Sequence, residues 1–150
     1  MCAREIENVI KQEGPDTVAA VLGEPISVAG ETAIPVPEYW PMVREICDKY
    51  GVLLIFDEVL IGMGRTGKWF ASEHFGVMPD MLTTAKGIAS GYTPISALIV
   101  SDKVADAFKG DGSVAFAHGY TYGNHPVACA AGMANIGIIE RENLVERSAE

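Results

Sequence analysis

The stretch VLLIFDEV, residues 52 to 59, constrains this chain more than any other: five apolar residues run without alternation into an acidic pair. A strand with one wet face alternates apolar and polar side chains. A short unbroken run reads instead as a strand covered on both faces, the situation of a parallel sheet. Parallel neighbours cannot be joined by a tight turn, so helical crossovers are required on either side. The flanking sequence supplies them. Before the run, MCAREIENVIKQEG spaces Ile6, Val9 and Ile10 as one face of a helix that Gly14-Pro15 then stops. VAAVLGEP, residues 18 to 25, is a short strand ended by Glu-Pro, and residues 29 to 37 read as loop. A second helix follows, with Pro37 in its first turn and Pro41 making that turn irregular. Tyr39, Val43, Ile46, Cys47 and Tyr50 share its inner face, and Gly51 caps its end.

After the run, a Gly-rich segment and a short helical piece at residues 72 to 75 lead to a strand over 81 to 84, and SALIVSD, residues 96 to 102, supplies a fourth. A helix near residues 103 to 109, a Gly-rich loop, a helix of small residues opened by Pro126, and a last amphipathic helix in RENLVERSAE complete the pattern. Alternating strands and helices predict a layered α/β fold, a mostly parallel sheet with helices on both faces. Ligands gather beyond the C-terminal ends of such strands. Glu24, Asp57 and Lys86 all stand at those ends.

Composition excludes several partners. The net charge of -9 repels a phosphate backbone, and no basic run forms a local exception, so nucleic acid is not expected. No apolar stretch approaches the roughly 20 residues that span a bilayer, and the first residues do not read as a signal peptide, which makes the cytoplasm the expected address. Cys2, Cys47 and Cys129 are odd in number and widely spaced, suggesting neither disulfides nor zinc. Cys47 and Cys129 are expected in the core. His74, His118 and His125 lack the spacing of metal ligands and read as loop or packing residues.

An apolar strand ending in Asp-Glu also suits the magnesium-binding strand of a P-loop ATPase, and GMGRTGK, residues 62 to 68, has the phosphate-loop spacing. That reading fails twice. Trp69 occupies the place of the metal-binding hydroxyl, and the loop follows the acidic strand instead of preceding it. Pyridoxal chemistry suits the residues better. Bonding to an aldehyde requires a partly desolvated primary amine, and a carboxylate beside a pyridine nitrogen keeps it protonated so that the ring can accept electrons. Lys86, in T-A-K-G, supplies the amine and Asp57 the carboxylate.

GEP at residues 23 to 25, YGVLLIFDEV at 50 to 59, GMGRTGKWFASEHFGVMPD at 62 to 80, TTAKGIASGY at 83 to 92 and HGYTYGNHP at 118 to 126 occur in the order and spacing of one family. The chain resembles class III aminotransferases of the fold-type-I pyridoxal-phosphate superfamily over essentially its whole length. The resemblance implies that Lys86 bonds to pyridoxal 5'-phosphate and later carries the proton between substrate and cofactor. It implies that Asp57 pairs with the pyridinium nitrogen and Val59 packs on one ring face. Thr121 would reach the cofactor phosphate of the neighbouring subunit, making a homodimer part of the site. Glu24 matches an acid that in many members faces a substrate-reading arginine beyond residue 150.

Residues 1 to 150 would then be the C-terminal half of the cofactor-binding large domain, lacking its N-terminal part and the small domain. The four strands would be consecutive neighbours in one larger sheet, with SALIVSD antiparallel to the others. The implied activity is transfer of an amino group from an amine or amino acid to a keto acid by a ping-pong mechanism, nearest the ω-amino acid and amine:pyruvate group. The alternatives are a related aminomutase or decarboxylase, or a segment acting alone as a non-catalytic module. By itself the segment is expected not to turn over. Ile61, Met63 and Asn124 depart from residues common in the family, where a polar side chain, an aromatic and a glycine are usual.

Overall fold

A computed structural model describes residues 2 to 109 and 116 to 150. The chain runs through α1 (Cys2–Glu13), β1 (Ala20–Gly23), α2 (Tyr39–Tyr50), β2 (Leu53–Asp57), β3 (Met81–Thr84), β4 (Ala97–Val100), α3 (Asp102–Ala105), α4 (Pro126–Arg141) and α5 (Leu144–Ala149), with short 3-10 turns between. The Gly-rich stretch expected after residue 109 lies partly outside the described residues.

The strands form one sheet in the order β1-β2-β3-β4. β1, β2 and β3 are parallel, and β4 runs antiparallel to β3 with Met81 opposite Val100. This is the α/β, mostly parallel architecture predicted from the apolar run, and the consecutive strand order with a reversed fourth strand is the one the family resemblance implies.

The core lies between the sheet and the first two helices. Leu54 and Phe56 are fully buried against Val43 and Cys47, and Ala3 and Ile10 of α1 close the cluster. Each such large side chain removed from water contributes about 1.5–3 kcal/mol. Trp40 meets Phe56 edge to face at 4.6 Å and donates its indole N–H to the Pro25 carbonyl at 2.9 Å. A β-carbon on Gly23 would lie 2.8 Å from the Trp40 ring, so this strand-end position accepts only glycine. α1 is pinned to α2 by Glu7, which accepts from Lys49, Tyr50 and Lys11. The first of these hydrogen bonds does most to bring its carboxyl down to about 2. The other face of the sheet is more open: Leu53 and Ile55 are half-buried, and Leu22 and Leu98 are mainly exposed.

Gly51 caps α2 at φ 67, the left-handed conformation that spares a residue without a β-carbon any clash. Two local expectations are corrected. α2 begins at Tyr39, with Pro37 in the preceding turn and Pro41 inside the first helical turn. There its missing N–H costs no intrahelical hydrogen bond. Cys129 is exposed, whereas Cys47 is buried as expected. α4 buries Ala128, Gly132 and Ile139. Cys129 lies one step, about 100° of helix rotation, away from that stripe.

Candidate active site

The parallel order brings three strand ends side by side. Glu24 follows β1, Asp57 closes β2, and Lys86 stands two positions beyond β3. Glu24, Asp57, Val59 and Lys86 line one cleft of about 170 Å³, whose remaining wall is Ile26, Leu60 and Ile61. Thr121 is not among them. It lies exposed in the turn 121 to 124 ahead of α4.

Within the cleft the carboxylates are partly engaged by backbone. Asp57 Oδ1 accepts from the Val59 N–H at 3.0 Å. Glu24 Oε2 accepts from the N–H groups of Val28 and Ala29 at 2.5 and 3.3 Å, which folds the following loop back over the strand end. Among the described residues, neither Asp57 nor Lys86 has an ion-pair partner. A cation and an anion free to engage a third party therefore share one small cleft.

Lys86 has φ 34 and opens the 3-10 turn Lys86–Ile88. A left-handed conformation in a residue with a β-carbon costs about 1–3 kcal/mol and persists only where the surroundings impose it. Gly87 is one such constraint, because a β-carbon there would come 2.9 Å from the Met63 β-carbon. The Gly-rich loop is thereby packed directly beneath the lysine turn. Met63, where the family has an aromatic, is itself left-handed at φ 59. Asn124 has φ 56, a conformation that the family's usual glycine adopts freely.

Glu58, the second acid of the pair, fixes the loop and not the cleft. It is wholly buried, and its carboxylate accepts from the N–H groups of Ala71 and Ser72 at 2.6 and 2.9 Å. Its own carbonyl accepts from Gly62 N–H at 2.9 Å, so the segment between is tied at both ends to one residue. Burial raises the carboxyl above the usual range, and the Ser72 and Ala71 N–H groups offset part of that. Glu58→Gln keeps the volume but sets an amide NH₂ against one of the two N–H groups. A loss of about 1–3 kcal/mol is expected in urea unfolding, and unchanged stability would rule out the anchoring role.

The other loop residues are mainly structural. The Arg65 carbonyl accepts from the Ser148 hydroxyl of α5 at 3.0 Å, which ties this loop to the last helix. His74 meets Thr66, and His118 stacks edge-on with Tyr120. Among the described residues no group of three potential metal ligands gathers. No described helix is long and apolar enough to cross a membrane.

A mostly parallel α/β sheet with an amine and two carboxylates gathered at its strand ends is the frame of a small-molecule site at the carboxyl edge. Comparison with known proteins narrows this. The chain belongs to the class-III aminotransferase family, whose sequence model matches residues 1–150.

A probable aminotransferase of Mycobacterium tuberculosis is 53% identical over 142 residues, 95% of this chain and 30% of the relative. A diaminobutyrate–2-oxoglutarate transaminase of Halomonas elongata is 48% identical over 151 residues, 99% of this chain and 32% of that protein. Among solved structures, an amine transaminase from an uncultivated Pseudomonas species, in its PLP-bound form, superposes with a TM-score of 0.90 at 44% identity. It covers 97% of this chain and 33% of its own. The chain thus spans about a third of the length of the curated relatives it matches.

Proposed function

We propose that this chain is the central catalytic segment, the C-terminal half of the cofactor-binding large domain, of a pyridoxal-phosphate-dependent transaminase. The enzyme moves an amino group from an amine or amino acid to a keto acid. The observation that carries the reading is the cleft in which the Lys86 amine and the Asp57 carboxylate stand together at the ends of adjacent parallel strands, neither consumed by an ion pair. That donor set fits the cofactor, which needs one free primary amine and one carboxylate on a common wall. When bound, pyridoxal phosphate supplies an aldehyde that condenses with a primary amine, releasing water, and a protonated ring that draws electrons from the amino-bearing carbon.

The chain's own residues do the rest. Asp57, with Oδ1 held by the Val59 N–H, keeps its second oxygen to hold a proton on the ring nitrogen. The Val59 side chain covers a ring face. Lys86 Nζ carries the proton that leaves the amino-bearing carbon of the donor and returns it on the acceptor side. Glu24 offers a second negative charge at the substrate end, and Thr121 reaches the phosphate held by a neighbouring subunit, so that the working unit is a homodimer. The amine donors and pyruvate of the ω-amino acid and amine:pyruvate group are the finer reading. The likeness to an amine transaminase supports it.

The test is alanine or glutamate formation by the complete protein, given pyridoxal phosphate, a panel of amines, and pyruvate or 2-oxoglutarate. Amine-dependent formation of either is expected. Carbon dioxide release or a shifted amino group without transfer would replace this reading with a decarboxylase or an aminomutase. Asp57→Asn keeps the acceptor for Val59 but removes the charge. It is expected to lower kcat/KM by about 10²–10³, with cofactor still bound, and a loss below threefold would remove Asp57 from the mechanism.

A further inference from the structure

α4 reaches the lysine turn through a single polar side chain. The Asn135 amide donates to the carbonyls of Gly87 and Ile88 at 2.8 and 3.2 Å, and its oxygen accepts from the Ser90 hydroxyl at 2.7 Å. Three of the four residues after Lys86 are therefore gripped by one amide, from a helix more than forty positions away in sequence. The grip is needed. Lys86 and Ser90 are both left-handed, at φ 34 and φ 49, in a turn where the Ile88 N–H donates to the Ala85 carbonyl and the Ala89 N–H to that of Lys86. Asn135 lies on the stripe of α4 that also carries Gly132, and a β-carbon at 132 would already touch Ile88. That contact, 3.7 Å from the Ile88 carbonyl oxygen, is an ordinary one, so α4 lies against the turn here and a short amide one helical turn on comes within reach of two carbonyls.

We propose that Asn135 is a positioning residue for Lys86: by holding the carbonyls of Gly87 and Ile88 it fixes the backbone from which the lysine amine is aimed into the cleft. This rests on the reading that Lys86 bonds to pyridoxal phosphate. Reactive groups need their supports locked by neighbouring hydrogen bonds, because a displacement near 1 Å costs about 10²-fold in reactivity. Asn135 is not among the residues lining the cleft, and its side-chain hydrogen bonds go to Gly87, Ile88 and Ser90, so its effect passes through the turn.

Pyridoxamine phosphate separates the two roles, since it fills the same space but has no aldehyde to bond to lysine. In the complete protein, the affinities for pyridoxal phosphate and pyridoxamine phosphate are measured by absorbance titration in wild type, Asn135→Ala, Asn135→Asp, Lys86→Ala and the double variant Lys86→Ala/Asn135→Asp. Asn135→Asp is isosteric and keeps the acceptor for Ser90 while losing both donors. Both Asn135 variants are expected to weaken pyridoxal phosphate by about tenfold with pyridoxamine phosphate changed less than about twofold, and the double variant is expected to match Lys86→Ala. Equal weakening of both ligands, or of neither, overturns the positioning role while leaving Lys86 as the bonded residue. If Lys86→Ala itself leaves the ratio of the two affinities unchanged, the lysine reading fails and the inference falls with it.

Discussion

Lys86→Ala, made in the complete protein, is expected to lower the rate of the proposed amino-group transfer by about 10⁴-fold or more, because on that proposal it removes both the bonding nitrogen and the proton carrier. Few single substitutions have two reasons to be that severe. The variant should fold normally: Lys86 is exposed, and the turn behind it is held by the close packing of Gly87 on Met63 and by the Asn135 hydrogen bonds to the Gly87 and Ile88 carbonyls. Its urea midpoint should correspond to a stability within about 0.5 kcal/mol of wild type, as for most exposed positions. An added small primary amine should restore a measurable fraction of turnover by supplying the missing nitrogen, and acetate should not. Residual activity above about one hundredth of wild type without added amine would show that the proton is carried by another group.

Much of this arrangement was legible because it is local. The unbroken apolar run of residues 52 to 56, the Gly51 cap, the opening Pro126 and the Glu24-Pro25 strand end each state their structure within a few residues. Adding the order of strands then predicts that acids and lysine meet at one edge. The bonds that hold the meeting place are not local, and no periodicity carries them. Asn135 reaches Gly87 across 48 positions, and Ala71 reaches Glu58 across 13. Nothing local distinguishes Asn135 within a helix of small residues, and the place of Glu58 in an acidic strand end says nothing of the loop it anchors. Only the folded loop turns Glu58 inward to a helix start. Cys129 was misplaced for the same reason: a helix this rich in small residues offers no strong stripe to say which side is inward. Thr121 lies in an exposed turn away from the cleft, so no contact within one chain reveals what it serves.

The largest stability effect is expected at the opposite end of the same strands, at Asp80. Its side chain is almost entirely buried. It accepts from Arg44 at 2.8 Å, from the Leu54 N–H at 2.8 Å and from Lys103 at 3.4 Å. Its backbone N–H donates to Leu54 and its carbonyl accepts from Ser101, so one residue ties β2, β3, the end of β4 and α2 together. Burial by itself would raise the carboxyl, but the Leu54 N–H and the Arg44 guanidinium outweigh it and hold Asp80 below the ordinary value of 3.8.

Asp80→Ala leaves the Leu54 N–H without its acceptor and takes from Arg44 its buried partner, leaving only the pair with exposed Asp48 at 2.7 Å. A loss of about 3–5 kcal/mol in unfolding free energy is expected, enough to leave many proteins mostly unfolded at body temperature. The pH dependence follows from the depressed value. Above the unfolded carboxylate value the ionised pair contributes in full, and the contribution disappears as pH falls through the lower folded value. Wild type should therefore lose stability as pH falls through and below the ordinary carboxylate value of 3.8 more steeply than Asp80→Asn, which has no proton to take up there. Parallel acid limbs in the two proteins, together with an unchanged urea midpoint for Asp80→Ala at neutral pH, would mean that the strands are braced elsewhere. A cleft built on strand ends needs the other ends fixed, and Asp80 is the buried carboxylate that fixes them.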